Sequence, residues 1–115
     1  MTRIFIETPS FTKTWIELGL TDDDLLRLQD ILLVDPQSGP VIRGTGGVRK
    51  LRFAYYQKGK RGGVRICYVD LDEFGCIYLL VVYRKKDKTD LTESEKQSIR
   101  SLVRILKDEA RKGAC

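Results

Sequence analysis

The chain has 115 residues, 42% hydrophobic and 32% charged, with a formal net charge of +5. That length fits one domain able to bury a core without disulfides or metal. It contains no histidine, so Ser-His-Asp and Cys-His catalysis are excluded, and acid–base work must fall to Lys, Tyr, Asp, Glu or the substrate.

The first seven residues are interrupted by Glu7 and do not read as a signal peptide. Residues 3–7 read as a short strand centred on Ile4, Phe5 and Ile6, and residues 8–10 as a turn. Residues 11–18 read as a helix that places Phe11, Trp15 and Leu18 on one side, with Gly19 as its C-terminal cap. Thr21 caps a second helix, whose first turn carries Asp22, Asp23 and Asp24 and whose apolar stripe is Leu25, Leu28, Ile31 and Leu32. Three consecutive acids do not converge on one helix face, so they read as a dipole feature rather than a metal site. This helix must end before Asp35-Pro36.

Gly44, Gly46 and Gly47 mark a turn-rich loop that lacks the Gly-Lys-Ser/Thr ending of a phosphate-binding loop. Residues 48–56 then alternate, with Leu51, Phe53 and Tyr55 on one face and Lys50, Arg52 and Ala54 on the other. Residues 57–63 read as a basic, glycine-rich hairpin loop and 64–71 as the next strand, with Arg65, Cys67 and Val69 sharing a face. Residues 76–83 are almost wholly apolar and read as a central strand covered on both faces. Thr92-Glu93-Ser94-Glu95 is a capping box, and Ile99, Leu102, Val103 and Leu106 form the apolar face of a last helix.

The expected fold is therefore α+β: a small antiparallel sheet of about four strands, two N-terminal helices packed on one face, and one C-terminal helix. The single domain spans residues 1–115. No apolar run approaches the roughly 18 residues of a membrane span. The three cysteines, Cys67, Cys76 and Cys115, form no C-x-x-C, and an odd set of thiols suits a reducing cytoplasm. No structural zinc site, cofactor or membrane partner is expected.

The positive charge is segregated. Between Pro36 and Val69 there is no acid, while Arg43, Arg49, Lys50, Arg52, Lys58, Lys60, Arg61 and Arg65 all fall there. Bases clustered beside glycines and aromatics form the electrostatic footprint of a nucleic-acid site. A solvated basic hairpin without a ligand is the plainer alternative. Phe11 and Trp15 read as core, whereas Tyr56 faces away from Tyr55 and is a candidate platform for stacking a base.

At this point the residues resemble a known family. The run Val41-Ile42-Arg43-Gly44-Thr45-Gly46-Gly47-Val48-Arg49-Lys50-Leu51-Arg52, the segment Gly59-Lys60-Arg61-Gly62-Gly63-Val64-Arg65-Ile66, and Tyr83-Arg84-Lys85-Lys86-Asp87 followed by Asp90-Leu91-Thr92 are similar to the HigB-like branch of the RelE/HigB toxins. The resemblance covers nearly the whole chain and is strongest in its middle half. It implies the toxin of a bacterial type II toxin–antitoxin pair. It also implies a metal-independent endoribonuclease that cuts messenger RNA in the ribosomal A site by attack of the ribose 2′-hydroxyl on the adjacent phosphate. The implied catalytic residues are Lys50, Arg52, Arg65, Lys85 and Lys86. Arg43, Arg49, Lys58, Lys60, Arg61 and Tyr56 are candidates for contacts to RNA or the ribosome. The implied partners are the ribosome, its messenger, and an antitoxin with a helix-turn-helix DNA-binding part. Some members place an aromatic residue or His at the start of the final helix, where this chain has Asp90-Leu91-Thr92-Glu93. Lys50, crowded by Arg52 and Arg65, is the candidate proton acceptor. A gyrase-poisoning toxin of the same fold and a non-catalytic RNA- or ribosome-binding module are the competing readings.

Overall fold

The computed structural model describes residues 2–57 and 59–113. Lys58 and Cys115, both singled out above, lie outside the described residues. In chain order the elements are β1 (Ile4–Glu7), α1 (Pro9–Glu17), α2 (Asp22–Val34), β2 (Arg49–Gln57), β3 (Lys60–Leu71), a 3-10 turn (Asp72–Phe74), β4 (Cys76–Arg84) and α3 (Glu93–Arg111). The strands form one sheet in the order β1-β4-β3-β2.

The caps explain where the helices begin. Thr8 accepts from the Phe11 amide and Pro9 occupies the first turn, so α1 starts inside the segment expected to be a turn. Thr21 with Asp24, and Thr92 with Glu95, form reciprocal capping boxes for α2 and α3. Gly19, at φ 79°, closes α1 in the left-handed region.

The sheet is mixed rather than wholly antiparallel. β2, β3 and β4 meander antiparallel, but β1 pairs parallel to β4, with Ile4 opposite Cys76 and Glu7 opposite Leu79. The physical reason is the connection. After β1 the chain passes through α1 and α2 over one face and re-enters the sheet at its far edge in the same direction.

Both faces carry a core. Phe11, Trp15, Leu28 and Leu32 of the two early helices pack on Phe53, Tyr55, Ile66, Tyr68 and Leu79. On the other face Ile99, Val103 and Ala110 of α3 pack on Cys67, Val69, Tyr78 and Leu80. Between Cys67 and Tyr68 the β3–β4 register shifts, because Cys67 faces Val81 while Tyr68 faces Leu79. Leu80 is the extra residue of a bulge, and alternation beyond it is inverted. Val82 therefore joins the core under α1 and α2, and Tyr83 turns to the face that carries α3.

The segment between α2 and β2 seals the sheet edge. The Lys50 amide donates to the Pro40 carbonyl at 3.0 Å and the Ile42 amide to Val48 at 2.7 Å. Thr45, fully buried, donates to the Ile42 carbonyl and accepts from the Val48 amide. An edge strand left unpaired would be a template for association. Among the described residues no helix is long and apolar enough to cross a membrane.

Candidate functional site

Alternation puts Lys50, Arg52 and Ala54 of β2 on the face that carries α3, and antiparallel pairing fixes what lies beside them. Lys50 is opposite Cys67, Arg52 opposite Arg65, Ala54 opposite Gly63, and Tyr56 opposite Arg61. Arg65 in turn pairs with Tyr83 of β4. α3 packs on Val48, Cys67, Val69, Tyr78 and Leu80 of this face, and the stretch around Arg52 and Arg65 is left as a basic surface.

Two clefts open there and share Arg52 and Arg65. One, of about 390 Å³, adds Arg61 and Lys85 around the small residues Ala54, Gly62 and Gly63. The second, of about 500 Å³, is bounded by Ser38, Pro40, Lys50 and Thr89. A further groove of about 580 Å³ continues past Gly62 to Arg84, Lys85 and Lys86.

Arg65 is the central group. It is only 9% exposed, yet it has no hydrogen-bond or ion-pair partner within the described residues. Its stem is buried while its guanidinium nitrogens open to the clefts, and their five donors suit a bidentate oxyanion. Arg52, Arg61 and Lys85 around it are likewise without carboxylate partners. Ala54 and Gly63, paired across β2 and β3, put no bulk on the floor of the first cleft.

Lys50 stands in different surroundings from those expected. Its ammonium donates to Asp90 at 2.5 Å, so it is neutralised rather than crowded by cations alone. Hydrogen bonding and the charge of Lys50 hold the Asp90 carboxyl below the usual carboxylate range, and Lys96 and Arg65 add to the effect. Lys88 donates to both carboxylate oxygens of Glu95 at 2.7 and 2.6 Å and lies 5.3 Å from the centre of the Tyr83 ring. These contacts fasten the start of α3 to the end of β4.

Tyr83 and Asp90 belong to this neighbourhood and were not singled out from sequence. Period-two counting from Cys76 sends Tyr83 to the opposite face, and only the bulge reverses it. The Tyr83 hydroxyl is buried without a hydrogen-bond partner, and desolvation, with smaller contributions from Cys67 and Asp90, pushes it up to about 12. Cys67 is a fully buried free thiol that desolvation likewise pushes up to about 12, so it is not a nucleophile.

The remaining candidates separate. Lys85 and Lys86 are exposed just beyond β4, where Arg84 and Asp87 close the turn with a 2.7 Å ion pair. Lys60 and Arg61 lie in β3 rather than in a loop, because β2 and β3 pair through Gln57–Lys60 and the turn uses Gly59 at φ 75°. Tyr56 is 71% exposed. Arg43 is exposed in the loop before β2. Arg49 stands apart: its parity is that of Leu51, and it donates to the carbonyls of Gln37 and Gly39 at 3.3 and 2.8 Å. Among the described residues no His, Cys, Asp and Glu cluster could hold a metal ion. Asp24 is instead committed to its capping box.

No family model matches the chain. Among solved structures it is similar to that of the E. coli toxin RelE, a double arginine-to-alanine mutant in the free state. The TM-score is 0.54 and the sequence identity 17%, over 91% of this chain and 99% of that one. Three helices on a four-stranded mixed sheet, with that match over almost the full length of both chains, give this protein a RelE-like fold.

Proposed function

We propose that the chain is the toxin of a type II toxin–antitoxin pair, and that it cuts messenger RNA in the ribosomal A site without a metal ion. The observation that carries this reading is Arg65, its stem buried and its guanidinium open to the clefts without an anionic partner, on a floor it shares with Arg52. A solvated basic hairpin has no need to set two guanidiniums directly opposite each other without a carboxylate. A transition state with extra negative charge on phosphate oxygens does.

In the reaction the ribose 2′-hydroxyl gives up its proton to water as its oxygen attacks phosphorus, the bond from phosphorus to the 5′-oxygen breaks, and a 2′,3′-cyclic phosphate and a 5′-hydroxyl result. Arg65 and Arg52 hold the non-bridging oxygens, with Lys85 and Lys86 extending the charge along the strand. Lys50, already a hydrogen-bond donor, is assigned the proton that the departing 5′-oxygen takes up. Arg43, Lys58, Lys60 and Arg61 steer the protein to the ribosome, and Tyr56 offers a stacking surface. The protein acts in the cytoplasm, restrained by an antitoxin that carries a helix-turn-helix part.

The test is to add purified protein to translating ribosomes and map the messenger 5′ ends. New 5′-hydroxyl ends within A-site codons are expected, with ribosome association that weakens steeply with salt as phosphate contacts release counterions. Uncut messenger at full ribosome occupancy would reduce the reading to a binding module. Association indifferent to salt would favour a protein target such as gyrase.

A further inference from the structure

The two clefts flanking Arg52 and Arg65 differ in charge, and that difference has a chemical meaning. The first carries Arg61 and Lys85 with no carboxylate in its lining, as a run of phosphates requires. In the second, the cation Lys50 is cancelled by Asp90. Beyond the shared Arg52 and Arg65, what remains is the Ser38 hydroxyl, the Thr89 hydroxyl, Gly39, Leu51 and the ring of Pro40. Neither hydroxyl has a hydrogen-bond partner within the described residues.

The wall of this second cleft is also fixed in place. The Gly39 amide donates to the Tyr68 hydroxyl at 3.2 Å, and that hydroxyl donates to the Pro36 carbonyl at 2.8 Å. Arg49 holds the Gly39 carbonyl and the Lys50 amide holds that of Pro40. A Cβ on Gly39 would lie 2.7 Å from the Lys50 carbonyl oxygen, so the segment is pressed against β2 with no slack. The cleft is thus a preformed recess with the two free hydroxyls and the Pro40 ring at one side and the shared Arg52 and Arg65 at the other. At about 500 Å³ it lies within the usual size of small-ligand sites, roughly 300–1,000 Å³.

We propose that this recess binds the nucleobase next to the phosphate held by Arg52 and Arg65, and that Ser38 and Thr89 read its polar edge. The inference rests on the messenger-cutting reading above and adds to it a base preference. It also gives a use to Arg49, which is turned away from the clefts and holds the backbone of residues 37–39 in place.

The test compares the unaltered protein with a Ser38→Ala/Thr89→Ala variant. Both side chains are exposed, so the fold is retained, and circular dichroism verifies it. On translating ribosomes the unaltered protein is expected to favour certain bases beside the cut. The variant should lose that bias by roughly 3- to 10-fold per hydroxyl, the effect of one neutral hydrogen bond. Identical cut-site distributions for the two proteins overturn the proposal while leaving the nuclease reading intact. If the unaltered protein cuts nothing, the nuclease reading fails, and binding of labelled RNA tetranucleotides differing at one base decides the recess separately. Base-dependent affinity that the variant loses supports it, and equal affinity of the unaltered protein for all four bases overturns it.

Discussion

Arg52 and Arg65 stand directly opposite each other across β2 and β3, and neither has a carboxylate partner. Like charges in that position oppose pairing by about 0.2–1 kcal/mol. Arg52→Gln, which keeps most of the stem, is therefore expected to raise the melting temperature. The gain should shrink in about 1 M salt, where the screening length is about 3 Å. A stability loss at low salt would show that the two guanidiniums do not repel across the strands in the free protein.

Arg65 is the sharper probe of the chemistry. Arg65→Met preserves the buried stem and removes the charge, so the fold should remain at least as stable. Losing one charged contact in the transition state typically costs about 10²–10³ in rate. Cleavage by translating ribosomes carrying saturating Arg65→Met protein should fall by that order while ribosome binding persists. Full cleavage by the variant would remove Arg65 from the site.

Much of this was legible from local pattern. Thr21 and Thr92 announced their helices, because a capping box is a contact within four residues. Alternation in β2 set Lys50 and Arg52 on one face, and the hairpin through Gly59 brought Arg65 beside them. The features that were not legible depend on long-range geometry. The parallel pairing of β1 follows from where two helices deliver the chain. Tyr83 faces the site through one extra residue, Leu80, which an apolar run does not reveal. Asp90 meets Lys50 across forty residues of sequence, and Arg49 turns to the backbone of residues 37–39.

Gly62 is required by packing. An added Cβ would sit 2.6 Å from Cζ and 2.9 Å from Oη of Tyr55, whose ring is buried against the core. Gly62→Ala is expected to destabilise by about 1–3 kcal/mol, the range for overpacking. In a Tyr55→Leu background, where the ring is gone, the same change should cost much less. Denaturant melts of the two single variants and the double variant measure this coupling. Additive costs would mean that the clash is relieved without the ring moving.

The start of α3 should give the protein an acid-sensitive component. Lys88, the Thr92 amide and the Lys88 charge hold the Glu95 carboxyl below its ordinary value. A carboxyl lowered in the folded state contributes stability that is present above the unfolded value, about 4.3. That stability is lost as pH falls through the folded value, because the unfolded chain then binds more protons. Glu95→Gln should therefore lower the melting temperature at neutral pH, with the gap closing below about pH 4. A gap that stays constant into acid would assign the effect to packing rather than charge.

Tyr83 should behave in the opposite sense. Its hydroxyl is buried without a partner, and desolvation pushes it up to about 12 in the folded protein, against about 10 for a free tyrosine. Between those values the unfolded chain has released the proton and the folded protein still holds it. Stability must therefore fall as pH rises from about 10 to about 12, since the folded state binds more protons. Tyr83→Phe removes this dependence and also the unmet hydroxyl, whose burial costs about 1–3 kcal/mol. The variant is expected to melt higher than the unaltered protein at about pH 8, and by a wider margin at about pH 11. Its tyrosinate absorbance should lack the step near pH 12. A lower melting temperature at neutral pH would mean that the hydroxyl has a partner after all, and that the bulge at Leu80 aims Tyr83 at something it holds.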